Sequence, residues 1–338
     1  MSGRLELTGA PGSPYTRKML ALLRYRHIPH NVIWGGAMAA PEGYPKPKVG
    51  LLPTFYFEGE DGALEAAVDS TPIIRRLEAD YAGRSVIPDD EVLRFLDLLI
   101  EDYADEWLTK AMFHFRWAFQ ADADHAAPLL IHWALPQMAD EQVDAMAAQF
   151  AKRQIDRLYV VGSNEITAKT IEDSYVRILN ILDKLVQNQG FVLGSRPSSC
   201  DFALYGQLTQ LTTVEPTSAA LTNRHAQRVR GWVDRVDDLS GHKDGAWLAA
   251  DKFENLREIL GEIQKVYAPF LIANGKAVAA GSESFECEID GRLWTQPIFP
   301  YQAKCLASLC QAHARLSDEA KMQVDDLTGG WLSRLGLS

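Results

Sequence analysis

Three short segments in the first eighty residues place hydroxyl and carboxyl groups where helices begin. They are Gly12-Ser13-Pro14-Tyr15-Thr16-Arg17-Lys18, Leu51-Leu52-Pro53-Thr54-Phe55 and Asp69-Ser70-Thr71-Pro72-Ile73-Ile74. Ser13 before Pro14 has the chemistry of a helix start: the Ser oxygen accepts an orphan backbone N–H, and the missing N–H of proline does no harm in the first turn. The same N-terminus carries positive potential, so a hydroxyl there can also donate to a thiolate. Asp69 and Ser70 form a second helix start, where a hydroxyl and a backbone N–H can hold an anion. Each segment also has a plain structural reading, as a cap or as a proline leading a strand. Only their order and spacing within one small domain lift the chemical reading above it.

The surrounding pattern supplies elements that would position these groups. Leu5 to Leu7 reads as a short strand, and the helix opened by Pro14 carries Met19, Leu20, Leu22 and Leu23 before ending near His27 or Ile28. A second strand follows over Asn31 to Trp34, closing a βαβ unit. After a Gly- and Pro-rich loop from Gly35 to Gly50, Thr54-Phe55-Tyr56-Phe57 favours a strand. Glu60-Asp61-Gly62 would turn it into Ala63-Leu64-Glu65, and the Asp69-Ser70 helix completes ββα.

In that order the three segments resemble the N-terminal half of the cytosolic glutathione transferases, a thioredoxin-like domain. The resemblance implies that Ser13 stabilises the thiolate of glutathione, as in serine-type members of the family. It gives Leu52, ahead of a cis Pro53, a backbone contact to the peptide part of glutathione. Ser70 would take the γ-glutamyl carboxylate, Asp69 the adjacent ammonium, and Lys48 the glycine carboxylate. Tyr15, Thr16 and Thr8 are alternative hydroxyl donors. No Cys stands at position 13, which argues against the mixed-disulfide chemistry of cysteine-type members. The segment differs from the usual pattern before Pro53, since Gly50-Leu51-Leu52 separates it from Lys48 and Val49. The implied electrophile pocket is built on the first long helix of the second domain, which puts Tyr15, Tyr103, Trp107 and His114 forward as its lining, with Phe113 and Trp117 nearby.

Beyond Asp89 glycine thins out and Leu93, Leu96, Leu99 and Tyr103 recur at helical spacing, so an all-helical domain is expected. Further helices are expected over 140–158, 171–186, 200–211, 224–236 and 253–267. Ser198, three residues before Asp201, reads as a capping box that fixes a core helix. In the tail, Asp290-Gly291 separates two strand-like runs, 284–289 and 292–296, ahead of helices over 302–314 and 318–332. The expected organisation is thus a thioredoxin-like glutathione-binding domain over 1–84, an all-helical domain over 85–269 and an extension over 270–338 packed on the helical domain.

A chain of 338 residues can bury two cores, and its formal net charge of -11 would repel phosphate backbones and anionic lipid, arguing against nucleic-acid and membrane partners. Met1-Ser2-Gly3-Arg4-Leu5-Glu6 lacks the basic-then-apolar order of a secretory signal, so a cytoplasmic location is expected. The four cysteines, Cys200, Cys287, Cys305 and Cys310, form no Cys-x-x-Cys pair and are expected as free thiols. No zinc-spaced His or Cys cluster, phosphate-cradling Gly loop or Gly-x-Ser-x-Gly elbow is present, and no metal is expected. The sequence therefore leads to a glutathione-transferase-like enzyme with glutathione as co-substrate and a small hydrophobic electrophile as partner. By its resemblance it would be a homodimer acting in detoxification. The rival readings are a non-catalytic binding or scaffold protein of this fold, and a specialised glutathione-dependent lyase, isomerase or dehalogenase.

Overall fold

The structure, a computed structural model, describes residues 4–36, 39–59 and 62–335. Four strands, β1 (Leu5–Gly9), β2 (His30–Trp34), β3 (Thr54–Glu58) and β4 (Leu64–Ala67), form one sheet in the order β2-β1-β3-β4. β1 runs parallel to β2 and antiparallel to β3, which pairs antiparallel with β4. Helix α1 (Pro14–Tyr25) connects the parallel pair, and α2 (Ser70–Asp80) follows β4, giving βαβ-ββα. Of the turn expected at Glu60-Asp61-Gly62, the first two residues lie outside the described residues; Gly62 has φ +79°. The sheet and its helices share a core of Leu7, Phe55, Met19, Leu23, Ile74 and Leu77, all essentially inaccessible. Each such side chain contributes roughly 1.5–3 kcal/mol on burial.

The rest of the chain is helical until a late hairpin. α3 (Glu91–Tyr103) starts at Asp90, whose Oδ1 accepts the Leu93 N–H at 2.9 Å. It buries the expected Leu93, Leu96, Leu99 and Tyr103 stripe. A π turn (Ala104–Leu108) joins it to α4 (Thr109–Trp117). α5 (Gln120–Ala134) was not signalled by the sequence, because it carries Pro128 inside and few long apolar residues on one face. α6 (Asp140–Ile155) and α7 (Ala168–Gln189) lead to α8 (Ser199–Thr213), the central helix, opened by the Ser198/Asp201 capping box. α9 (Pro216–His225) was not expected, and the helix expected over 224–236 begins only after it, as α10 (Gln227–Val236), since Ala226 at φ -151° breaks the turn.

α11 (Arg257–Glu262), a second π turn (Ile263–Tyr267) and α12 (Ala268–Ala279) run on without a gap. The boundary expected at 269/270 falls inside this run, because Pro269 sits in the first turn of α12, where a proline is tolerated. The hairpin β5 (Ser284–Ile289) and β6 (Arg292–Pro297) turns at Asp290 and Gly291, with φ of +52° and +72°, the left-handed pair of a tight hairpin. Its Trp294 is fully buried against Trp107 and Phe270. α13 (Pro300–Ala314) and α14 (Asp318–Thr328) complete the chain. Among the described residues no helix is long and apolar enough to cross a membrane, and the four cysteines are free.

Two buried polar networks join the sheet half to the helices. Arg116 of α4 ion-pairs with Glu215 and donates to the Gly12 carbonyl at 3.1 Å and to Gln210, which in turn reaches the Pro11 carbonyl. The loop ahead of Ser13 is therefore held from the helical side. Deeper in, Gly206 lets α8 close on α1, since a Cβ there would meet the Pro14 carbonyl at 2.5 Å. Beside this contact Lys18 is fully buried and spends its three donors on Ser70 Oγ at 2.9 Å, Glu101 Oε1 at 2.8 Å and Asp105 Oδ2 at 2.6 Å. Burial opposes its charge, but Asp105 and Glu101 outweigh that and hold the ammonium above its usual range.

Replacing Lys18 by Met would leave Asp105 without its counter-charge and Glu101 with only the more distant Arg75, 3.9 Å away. Breaking a buried pair from one side costs about 3–5 kcal/mol. Lys18→Met should lower the urea midpoint accordingly, and an unchanged midpoint would show that the network adds nothing to stability.

Candidate functional site

A cavity of about 560 Å³ opens where three parts of the chain meet. The sheet half contributes Tyr15, Leu52, Pro53, Asp69 and Ser70; the α3–α4 run contributes Asp102, Asp105, Glu106, Thr109 and Lys110; the C-terminal part contributes Phe299, Tyr301 and Gln302. Phe299, which leads into α13, is pinned by paired hydrogen bonds with Asn274, N–H to Oδ1 at 2.8 Å and Nδ2 to its carbonyl at 3.0 Å.

The groups expected from the sequence fall as follows. The Leu52–Pro53 peptide is cis, and both residues line the cavity. Ser70 stands at the first position of α2, and its Oγ accepts from Lys18, which leaves its own proton to donate. Asp69 precedes it at φ +80°, ψ 110°, a conformation that costs a non-glycine residue about 1–3 kcal/mol and that clusters at ligand sites. Its carboxylate does not cap the helix; it accepts from Tyr301 Oη at 2.7 Å. Ser13 lies behind the wall rather than on it: Oγ accepts the Thr16 N–H at 3.2 Å, and its proton is directed at the Leu52 carbonyl, 3.4 Å away.

The alternative donors are engaged elsewhere. Tyr15 Oη donates to the Asp105 carbonyl at 2.7 Å, and burial, together with Glu106 and Asp105, keeps it protonated far above the usual tyrosine range. Thr8 pairs with Tyr56, and Thr16 accepts from the Ala10 N–H, both fully buried. Lys48 is exposed on its loop and is not part of the cavity lining.

The expected aromatic lining is corrected by the structure. Tyr103, Trp107 and His114 are buried in the core and do not line the cavity. Tyr103 packs edge-on against Tyr267, Trp107 donates Nε1–H to Ser174 at 3.2 Å, and His114 is held between Ser163 and Glu172. Their size drives them into the core, and the face that remains toward the sheet half is Asp102, Asp105, Glu106, Thr109 and Lys110. These positions share one helical face by their spacing of three and four. The same periodicity is visible in the sequence, where a polar stripe reads as solvated surface; nothing local shows that α13 will cover it.

Enclosure shifts the protonation of these groups. Burial, with Asp102 and Asp105 nearby, pushes Glu106 up to about 8, although it accepts from Gln302 Nε2 at 3.0 Å. Burial likewise raises Asp102 to about 7 against the opposing bond from Tyr267 Oη at 2.6 Å. Lys110 is lowered to about 7 by burial, partly offset by Glu106. Its Nζ lies 4.0 Å from the Phe270 ring and donates to the Val161 carbonyl and Gln296 Oε1, each at 3.2 Å.

A carboxyl raised from 4.5 to about 8 on folding keeps a proton that the unfolded chain has released. Its contribution is complete below the unfolded value and declines as pH rises toward the folded one. Asp102 acts with the same sign below its own value. Stability should therefore fall from about pH 5 to about pH 7, and Glu106→Gln, which mimics the neutral acid, should make that slope shallower while Asp102 and the other buried carboxyls keep the rest of it. Urea midpoints across this range provide the check; a wild-type slope that Gln leaves intact would mean that Glu106 is ionised throughout.

Residues 7–85 match the family described as Glutathione S-transferase, N-terminal domain. No curated relative matches the chain. Among solved structures, the beta-etherase LigF from Sphingobium sp. strain SYK-6 is similar at 16% identity and TM-score 0.50, covering 70% of this chain and 95% of that one. A glutathione S-transferase from Methylobacterium radiotolerans, in complex with glutathione sulfonate, aligns at 16% identity and TM-score 0.42 over 70% of this chain and 91% of its own. A GST-like protein from Pseudomonas syringae aligns at 17% identity and TM-score 0.42, covering 74% and 78% respectively. The match over residues 7–85, with a four-stranded sheet domain followed by helices, gives the chain the glutathione-transferase fold.

Proposed function

We propose that the protein binds glutathione in this cavity and activates its thiol for attack on an electrophilic small molecule. The observation that carries the proposal is the common wall formed by Leu52, the cis Pro53 and the Asp69-Ser70 start of α2. The α2 N-terminus supplies positive potential and the Ser70 hydroxyl for the γ-glutamyl carboxylate, while Asp69 faces the ammonium. Leu52 offers its main chain to the peptide part, and Lys48 is the cation nearest in sequence for the glycine carboxylate. Ser13 is the activating donor. Its bond to the Leu52 carbonyl is long at 3.4 Å, so turning the hydroxyl toward a thiolate gives up little. Tyr15 would have to break a 2.7 Å bond.

The position of Ser13 behind the wall favours a second reading, in which the protein holds glutathione without catalysing transfer. The two readings share the binding site and differ in the role of Ser13.

Hydrogen bonds to a charged group contribute about 1.5–3 kcal/mol, so the double variant Asp69→Ala, Ser70→Ala should weaken glutathione binding by about tenfold or more. Calorimetry reads this directly, and equal affinity in the variant would remove the site. Ser13→Ala should keep most of the affinity yet raise the apparent thiol pKa of bound glutathione by about one or two units, with loss of turnover near neutral pH. Full turnover with an unshifted pH profile would exclude Ser13 as the activating group. Intact binding with no turnover in the wild type, tested over several electrophile classes, would favour the second reading.

A further inference from the structure

Two buried acceptors on the cavity wall have no donor among the described residues. The donors beside them are engaged elsewhere, Tyr15 by the Asp105 carbonyl, Tyr301 by Asp69 and Lys110 by Val161 and Gln296, while the proton of Ser70 belongs to the glutathione end of the cavity. Asp105 uses Oδ2 for Lys18 and leaves Oδ1 unpaired, and Gln302 donates to Glu106 but has no partner for Oε1 among the described residues. Both residues are buried, Asp105 at 7% and Gln302 at 3% exposed, and both line the cavity. A buried acceptor left unpaired costs about 1–3 kcal/mol, so such groups normally meet a ligand or an ordered water.

The four carboxyl residues on the wall, Asp69, Asp102, Asp105 and Glu106, face one cavity-lining lysine. A purely apolar electrophile would cover the free acceptors of Asp105 and Gln302 and return no hydrogen bond. We propose that the second substrate carries a hydrogen-bond donor, a hydroxyl or an ammonium, and that Gln302 and Glu106 select it. It replaces the small hydrophobic electrophile expected from the sequence with a more polar one, and it rests on the reading of the cavity as a glutathione site. The C-terminal part of the chain has a defined task in this scheme: α13 supplies Gln302, whose Nε2 orients the Glu106 carboxyl and whose Oε1 waits for the donor.

The test compares S-substituted glutathiones that differ only at the tip of one arm. S-(4-hydroxybenzyl)glutathione and S-(4-aminomethylbenzyl)glutathione carry the two donors, and S-(4-methylbenzyl)glutathione carries none. Calorimetry on the full chain should show at least one donor conjugate binding about tenfold or more tighter than the methyl conjugate, a difference that Gln302→Met or Glu106→Met reduces to about twofold. Which donor wins separates the hydroxyl from the ammonium. If all three conjugates bind alike while glutathione itself binds, the donor proposal is overturned and the glutathione reading stands. If neither glutathione nor any conjugate binds, the glutathione reading fails and this proposal with it. The wild-type comparison decides the matter even if a variant does not fold.

Discussion

A single buried ammonium ties the site together. Lys18 sits on α1, yet its three hydrogen bonds end on α2, α3 and the π turn after it. A charge without water must have its donors satisfied and its counter-charge within a few ångströms, or the cost reaches several kcal/mol. That requirement fixes the first turn of α2 relative to the helical half, and so fixes Ser70 relative to Asp105. The network continues outward: Glu101 Oε2 accepts from Ser199 Oγ at 2.9 Å, and Ser199 also contacts Asp97, whose other oxygen receives the Cys200 N–H at the start of α8. The helix that Gly206 brings against α1 is thus held at its N-terminus by the same chain of bonds that supports the cavity wall.

The π turn is the second constraint. An α-helix that kept its register from Glu91 to Trp117 would rotate each later side chain by a fixed step, and one wider turn shifts that step for everything beyond it. Here the wider turn carries Asp105 and Glu106, and the Asp105 carbonyl within it is taken up by Tyr15. Aromatic bulk goes to the core, and titratable groups go to the cavity. Burial then changes their chemistry, leaving Glu106 protonated and Lys110 able to lose its proton near neutral pH.

The C-terminal part completes the enclosure through few but specific contacts. Trp294 of the hairpin fills the space between Trp107 and Phe270, and Asn274 pins Phe299 at the entry to α13. Tyr301 then reaches Asp69 across 232 positions of sequence. The cavity is accordingly shared by the beginning, the middle and the end of the chain.

Much of this was readable locally. Ser13-Pro14, Ser198 with Asp201 and Asp290-Gly291 specify a helix start, a capping box and a tight hairpin through bonds within a few residues, and each formed where the sequence placed it. The order of strands and helices followed from such signals. The cavity face did not, because a polar stripe at 102, 105, 106, 109 and 110 has the same spacing whether water or another helix covers it. Tyr103, Trp107 and His114, which the family resemblance puts forward as pocket lining, are instead core residues, because only packing says what a helix face meets. The fold was set by near-neighbour chemistry, while the roof of the cavity, the partner of Asp69 and the protonation of Glu106 were set by contacts between residues far apart in sequence.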